Sequence, residues 1–367
     1  MPAISMETML EATRLTRAGR LMEATALLRG QEQPGSAPNV PPDSPFIDMV
    51  PPLDPGGSWS ESGTAPSHQA PGPADAPQGM GSFKSHSFRG PEGQRAYKLY
   101  VPSGEADRRP LIVMLHGCTQ SPDDFAIGTG MNRLADEHGM LVAYPAQSQS
   151  ANAKKCWNWF QAKDQKRVGG EPAIIAAITR QIAGEHAFDP DRVYIAGLSA
   201  GGAAAAIMGE VYPDIFAAVG VHSGLARGAA RDMPSAFTAM RAGGNDLPAR
   251  SAGGDAHFVP TILFHGDRDA TVHPVNGDQV LAQSRAAADR LSVRRTSGTT
   301  PAGLRYTVTV EETADGQPVL EHWLVHGAGH AWSGGHAAGS FTEPRGPDAS
   351  REMVRFFLAN PRPRASS

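Results

Sequence analysis

The chain has 367 residues, a formal net charge of -4 and a hydrophobic content of 40%. This length and apolar content allow one large α/β domain with further segments beside it. Basic and acidic residues are interspersed, so no basic stripe predicts binding to nucleic acid or to an anionic membrane. No stretch approaches the roughly 18 to 20 uninterrupted apolar residues of a membrane span. We also expect no Sec signal, because the N-terminus lacks a basic start followed by an apolar core and a cleavage site.

The first 81 residues are expected to lie outside the main predicted domain. Residues 1–30 are predicted to form a short helical hairpin, with apolar residues at helical spacing and Gly19 near the middle. A single helix pair cannot bury its own apolar face, so residues 4–29 are expected to dock on the main domain, to self-associate or to bind a partner. Residues 31–81 are rich in Pro, Gly, Ser and Ala and are predicted to be a disordered linker.

Strands and helices are predicted to alternate over residues 82–360, which favours a doubly wound, mostly parallel sheet with helices on both faces. An opening hairpin is expected to add an antiparallel edge. Residues 225–257 occupy the place of a cap that walls the pocket, and 361–367 are predicted to be a disordered tail. The predicted strands are 83–88, 97–101, 111–115, 141–145, 193–196, 217–221, 261–264 and 322–325; the predicted helices are 123–137, 172–184, 200–212, 274–290 and 347–358.

The segment Gly197-Leu198-Ser199-Ala200-Gly201 lies between an apolar strand and an alanine-rich helix. Glycines on both sides of a serine are typical of a strand that turns abruptly into a helix, which lifts the hydroxyl clear of the sheet edge. This is the nucleophile elbow of an α/β-hydrolase. It predicts Ser199 as the nucleophile and the Ala200 N–H, at a helix N-terminus, as one oxyanion donor.

Three further segments follow predicted strands in the order that this fold requires. Cys118 lies where such enzymes place the second oxyanion N–H. Asp269 fits the spacing His-Gly-x-x-Asp-x-x-Val and is predicted as the acid, while Asp267, two residues away, is the alternative and is expected to hold the loop through backbone N–H groups. His330 is predicted as the base that Asp269 orients, and His326 is its alternative because it also follows a strand.

The remaining histidines and the tryptophans have simpler expected roles. His116 and His265 are expected to make structural hydrogen bonds, and His222, His273 and His336 are expected to be loop or surface residues. The histidines form no compact ligand set, so neither a metal nor another cofactor is predicted. Trp157, Trp159 and Trp332 adjoin the catalytic segments and are either core aromatics or candidates to line the acyl pocket.

Cys118 and Cys156 are the only two cysteines. Two cysteines in a chain of this size are compatible with a disulfide and with two reduced thiols. A bridge would pin the oxyanion loop to the aromatic loop that follows Cys156, and the residues alone leave both alternatives open.

The chain resembles the polyhydroxybutyrate depolymerase esterase family, which also includes feruloyl and acetylxylan esterases. The similar motifs are Leu115-His116-Gly117-Cys118-Thr119-Gln120, Cys156-Trp157-Asn158-Trp159, Gly197-Leu198-Ser199-Ala200-Gly201-Gly202 and Gly329-His330-Ala331-Trp332-Ser333-Gly334-Gly335. The resemblance implies a serine esterase with a Cys118–Cys156 disulfide, acting on polyesters, oligoesters or acylated plant polymers and often secreted.

Two expectations modify what the resemblance implies. We expect neither a secretion signal nor a polymer-binding module, which favours a soluble 3-hydroxybutyrate oligomer or a small ester as substrate. The compartment stays open between extracellular and cytoplasmic. A feruloyl or acetylxylan esterase is the alternative activity, and a catalytically inactive binding protein with this fold is the alternative of another class.

Overall fold

A computed structural model describes residues 80–363 except residues 105, 246, 248–257 and 287–289. The predicted helical hairpin, nearly all of the predicted linker and residues 364–367 lie outside the described residues. Residues 361–363 of the predicted tail are among the described residues, and the Arg362 N–H donates to the Asp191 carbonyl at 2.7 Å. No helix within the described residues is long and apolar enough to cross a membrane.

The described residues form a ten-stranded sheet in the order β1-β2-β4-β3-β5-β6-β7-β10-β9-β8. Strands β4, β3, β5, β6, β7 and β10 are parallel neighbours, and an antiparallel hairpin extends the sheet at each edge. The parallel centre and the opening hairpin confirm the predicted topology. The strands are β1 Ser82–Gly90, β2 Gly93–Val101, β3 Arg109–Leu115, β4 Leu141–Pro145, β5 Phe188–Leu198, β6 Ala218–His222, β7 Thr261–Gly266, β8 Ser292–Thr299, β9 Arg305–Glu312 and β10 Pro318–Val325.

Helices cover both faces of this sheet, as predicted. They are α1 Pro122–Thr129, α2 Met131–His138, α3 Gly170–Glu185, α4 Ala200–Val211, α5 Met233–Ala242, α6 Val275–Arg285 and α7 Ala349–Ala359. Helices α3 to α6 pack on one face, where Leu111 and Val113 of β3 point, and α1, α2 and α7 pack on the other with Ile112. Alternate residues of one strand point to opposite faces, so a strand covered on both sides is apolar throughout.

The structure corrects the predicted elements in two places. The single helix predicted over 123–137 is two helices, because Gly130 adopts a left-handed φ of 62° and ends α1. The β8–β9 hairpin was not predicted. Strand β8 is exposed along nearly all of its length, so it lacks the alternation of apolar and polar residues that marks a half-buried strand.

Candidate active site

Ser199 lies at a sharp turn between β5 and α4. Its backbone has φ 59° and ψ -120°, and its N–H donates to the His222 carbonyl at 2.9 Å. A Cβ on Gly201 would lie 2.0 Å from the Leu115 carbonyl oxygen, and a Cβ on Gly197 would lie 2.3 Å from the Gly201 carbonyl oxygen. The two glycines are therefore required by the close approach of the turn to β3, and Ser199 is left partly exposed at the sheet edge.

Asp269 and His330 lie in the loops after β7 and β10, which are adjacent parallel strands. The Asp269 Oδ2 and His330 Nδ1 atoms are 2.7 Å apart. The other carboxylate oxygen accepts the N–H groups of Thr271 at 2.9 Å and Val272 at 2.8 Å. Because an ionised carboxylate only accepts hydrogen bonds, His330 must donate from Nδ1, and its Nε2 can then act as a base.

The electrostatics favour this ionised form. Burial alone would raise the pKa of Asp269, but hydrogen bonds from His265, His330 and the Val272 N–H hold it well below its ordinary value. The side chain is 0% exposed, while that of His330 is 11% exposed. Asp269 is thus fully buried, while the side chain of His330 keeps some exposure.

The alternative acid and the alternative base form a second pair with each other. Asp267 Oδ2 lies 2.9 Å from His326 Nδ1, and its other oxygen accepts the Gly327 N–H at 2.7 Å. His326 Nε2 lies 2.8 Å from the Thr307 hydroxyl. Both ring nitrogens of His326 are therefore occupied, and Asp267 accepts a backbone N–H from the neighbouring loop. The two loops are further joined by the Arg268 N–H, which donates to the Ala328 carbonyl at 3.0 Å.

The two backbone amides predicted as oxyanion donors, those of Cys118 and Ala200, can be compared with the amides around them. In the loop after β3, the Gly117 N–H donates to Gln120 Oε1 at 2.9 Å and the Thr119 N–H donates to the Lys154 carbonyl at 2.7 Å. The amides on both sides of Cys118 thus have acceptors. Within the described part of the chain, the Cys118 N–H itself has no protein acceptor. The Ala200 N–H, the first of α4, is in the same situation, since helix-initial amides have no partner within the helix.

Cys118 and Cys156 form a disulfide. This confirms the pairing that the family resemblance implies and removes the alternative of two reduced thiols. The bond links the predicted oxyanion loop to the loop that carries Trp157 and Trp159.

The three tryptophans are buried near the site. Trp157 is 1% exposed and donates from Nε1 to the His116 carbonyl at 3.1 Å, and Trp332 is 1% exposed and donates to Ser350 Oγ at 3.0 Å. Trp159 is 6% exposed and packs edge-on against Phe160. This burial favours core roles, because an indole enclosed by its own domain offers little surface to a substrate.

A buried polar network beneath the disulfide loop was missed by the sequence analysis. Glu171, near the start of α3, accepts the Asn158 N–H at 2.7 Å and the Asn158 side-chain amide at 2.8 Å, and it also accepts from Gln147 Nε2. Gln147 continues the network to the Cys156 carbonyl at 2.9 Å and, through its own N–H, to His116 Nε2 at 3.1 Å. Burial raises the pKa of Glu171 against the effect of these bonds. No pattern in the sequence marks a lone glutamate for such a role.

The histidine expectations are partly corrected. His116 and His265 are buried and hydrogen-bonded, as predicted, with His265 Nε2 lying 2.8 Å from the Val272 carbonyl. His273 is exposed. His222, predicted as a loop or surface residue, is the last residue of β6 and is 1% exposed, because β6 is covered on both faces. No group of three or more His, Cys, Asp or Glu that could hold a metal ion occurs among the described residues.

Comparisons with known proteins identify the family of the chain. The family model described as Esterase PHB depolymerase matches residues 95–302, more than half of the chain. The chain is 34% identical over 239 residues to poly(3-hydroxyalkanoate) depolymerase C of Paucimonas lemoignei, covering 63% of this chain and 57% of that protein. It is 30% identical over 202 residues to feruloyl esterase B of Thermothelomyces thermophilus, covering 50% of this chain and 67% of that protein.

Among solved structures, an acetyl xylan esterase from Aspergillus awamori superposes with a TM-score of 0.61 at 19% identity, covering 76% of this chain and all of that one. At this identity the likeness concerns the fold, which is that of the α/β-hydrolases. The chain spans only 57% of the length of the depolymerase that it matches. The family-model match, which covers more than half of the sequence, shows that this chain belongs to the esterase PHB depolymerase family.

Proposed function

We propose that the chain is a serine esterase that hydrolyses carboxylic esters through an acyl-enzyme. Ser199 is the nucleophile, His330 the general base and Asp269 the residue that orients His330. The observation that carries the proposal is the 2.7 Å contact between Asp269 and His330 Nδ1, and Ser199 lies at a strained turn that follows β5 of the same sheet. These residues lie beyond the carboxyl ends of parallel strands, where open α/β sheets bind their ligands.

In this mechanism His330 Nε2 accepts the proton of Ser199 as the serine oxygen attacks the ester carbonyl carbon. The resulting oxyanion accepts hydrogen bonds from the N–H groups of Cys118 and Ala200, each contributing roughly 3 to 4 kcal/mol in comparable sites. The protonated His330 then gives its proton to the departing alcohol, and water repeats the cycle on the acyl-enzyme. Asp269 stays ionised throughout and stabilises the imidazolium.

The proposed substrate is an ester of 3-hydroxybutyrate oligomers or of a related polyester, since the depolymerase is the more similar of the two relatives. An aromatic or acetyl ester of a plant polysaccharide is the alternative, favoured by the similarity to a feruloyl esterase. We place the catalytic domain at residues 82–360 and propose residues 4–29 as a segment for self-association or partner binding.

A panel of soluble esters tests the proposal. Purified protein is assayed on p-nitrophenyl acetate and p-nitrophenyl butyrate, then on 3-hydroxybutyrate trimers, methyl ferulate and acetylated xylo-oligosaccharides. We expect hydrolysis of the short p-nitrophenyl esters and its loss in Ser199→Ala, with the highest kcat/KM among the natural classes on the hydroxybutyrate oligomers. Absence of turnover on every ester would instead favour the binding-protein alternative.

A further inference from the structure

His222 connects the two loops that the proposed reaction must hold together. It ends β6, which lies in the sheet between β5, the strand that precedes Ser199, and β7, the strand that precedes Asp269. Its carbonyl oxygen accepts the Ser199 N–H at 2.9 Å. Its ring Nε2 accepts the N–H of Ser333 at 2.9 Å, three residues after His330. One residue therefore contacts the backbone of the serine turn and the backbone of the histidine loop.

Packing holds the His222 ring in the plane that its hydrogen bond with the Ser333 N–H needs. It stacks on Trp332 with centroids 5.2 Å apart and on Phe264 with centroids 5.8 Å apart, and the interplanar angles are 28° and 17°. Such packing leaves the imidazole little freedom to rotate. Trp332 lies two residues after His330, so its stacking on the His222 ring also restrains the loop that carries His330.

The protonation state of the ring is also determined by its partners. Nε2 accepts a hydrogen bond from an amide, so in the neutral ring the proton is on Nδ1, which lies 3.2 Å from Ser223 Oγ. Burial lowers the pKa of His222 to about 3, and the nearby His265 and His330 add to this effect while Asp269 opposes it. The ring thus remains a neutral acceptor through the pH range in which an esterase works.

We infer that His222 is a positioning residue, whose Nε2 holds the Ser333 amide and thereby sets His330 against Ser199. This inference rests on the proposed esterase function. This anchor lies three residues beyond His330, and without it the loop can shift His330 by a fraction of an ångström. A displacement of about 1 Å is enough to lower a rate roughly 10²-fold. His222 is 1% exposed and offers almost no surface to a substrate, so the loss is expected in kcat and not in KM.

Three substitutions separate the acceptor from the packing. His222→Phe keeps a flat ring for the stack and removes the acceptor, and we expect kcat on p-nitrophenyl acetate to fall about 10- to 100-fold with KM changed less than twofold. His222→Gln can place its amide oxygen near the position of Nε2 and is expected to restore kcat to within about fivefold of wild type. His222→Asn is too short to reach Ser333 and should behave like the phenylalanine variant.

His322→Phe is the matched control. His322, on β10, is also a histidine with a lowered pKa, but its side chain is 18% exposed and lies 3.8 Å from the carboxylate of Asp278. We expect this variant to keep the wild-type kcat, whatever its thermal midpoint. If His222→Phe does not fold, the glutamine and asparagine variants decide the question, with kcat expected to be at least about twofold higher in the glutamine variant.

The outcomes distinguish this inference from the proposed function. A wild-type kcat in His222→Phe, or equal kcat values in the glutamine and asparagine variants, overturns the positioning role even when Ser199→Ala is inactive. A rise in KM without a fall in kcat also overturns it. Activity that survives in Ser199→Ala overturns the proposed function itself.

Discussion

Removal of the Cys118–Cys156 disulfide is expected to lower the free energy of unfolding by about 4 kcal/mol. The two cysteines are 38 residues apart in the sequence. For a loop of that length the chain-entropy model removes roughly 13 cal/mol/K from the unfolded ensemble, which is about 4 kcal/mol at 25 °C. For a catalytic domain of roughly 280 residues this corresponds to a fall of about 7 °C in Tm.

The same bond is expected to affect catalysis through the Cys118 N–H. Thr119 and Lys155, the neighbours of the two cysteines, have φ values of 66° and 54°. Non-glycine residues in this region cost of order 1 kcal/mol or more each and are kept there by their surroundings. Without the bond this backbone can relax and move the amide, so kcat should fall, by less than the roughly 10²- to 10³-fold cost of losing a whole oxyanion donor.

The assay compares wild type and the Cys118→Ala/Cys156→Ala double variant, each with and without a phosphine reductant. Thermal unfolding gives Tm, initial rates on p-nitrophenyl butyrate give kcat, and alkylation followed by intact mass measures the extent of reduction. The double variant is the control, and reductant should change neither of its values. Fully reduced wild-type protein with an unchanged Tm and kcat would refute the argument.

Three other predictions follow from the same structure. Asp269→Asn should lower kcat up to about 10⁴-fold and Asp267→Asn far less, because only Asp269 bonds His330 Nδ1; side-by-side kinetics check the ranking, and the reverse order would contradict it. Stability should fall as the pH drops from 6.5 toward 4, because burial lowers the pKa values of His116, His222 and His322 to about 4, 3 and 4, and the unfolded chain binds protons that these folded-state groups do not. For three such groups the slope of the unfolding free energy should approach about 4 kcal/mol per pH unit. Urea unfolding at pH 7 and pH 5 measures this, and equal stabilities would contradict it. A chain lacking residues 1–79 should keep the wild-type kcat/KM on p-nitrophenyl acetate, because every proposed site residue lies beyond residue 82, whereas loss of soluble protein would show that the catalytic domain depends on the removed segment.

The central sheet and the serine turn were predictable because local chemistry dictates them. Strands covered on both faces must be apolar, so β3 to β7 stand out as continuous apolar runs. Gly201 is required by an approach of 2.0 Å to the Leu115 carbonyl oxygen, and that requirement appears in the sequence as glycines around Ser199.

Other features depend on contacts between distant residues and leave no local pattern. Strand β8 is exposed nearly throughout, so its pairing with β9 produces no apolar periodicity. Glu171 and His222 are buried polar residues whose partners come from other segments, at Asn158 and Ser333. Glycine within a helical pattern is often tolerated, and Gly128 lies within α1, so Gly130 did not by itself indicate that the helix ends there.

Covalent labelling with an organophosphonate tests most directly the claim that Ser199 is an activated nucleophile. The reagent phosphonylates a serine only where a base and an oxyanion site assist its attack. We predict one adduct per chain by intact mass, located at Ser199 by peptide mapping, with loss of ester hydrolysis in proportion to labelling. Labelling of another residue, or full activity in a protein whose Ser199 is fully modified, would contradict the account.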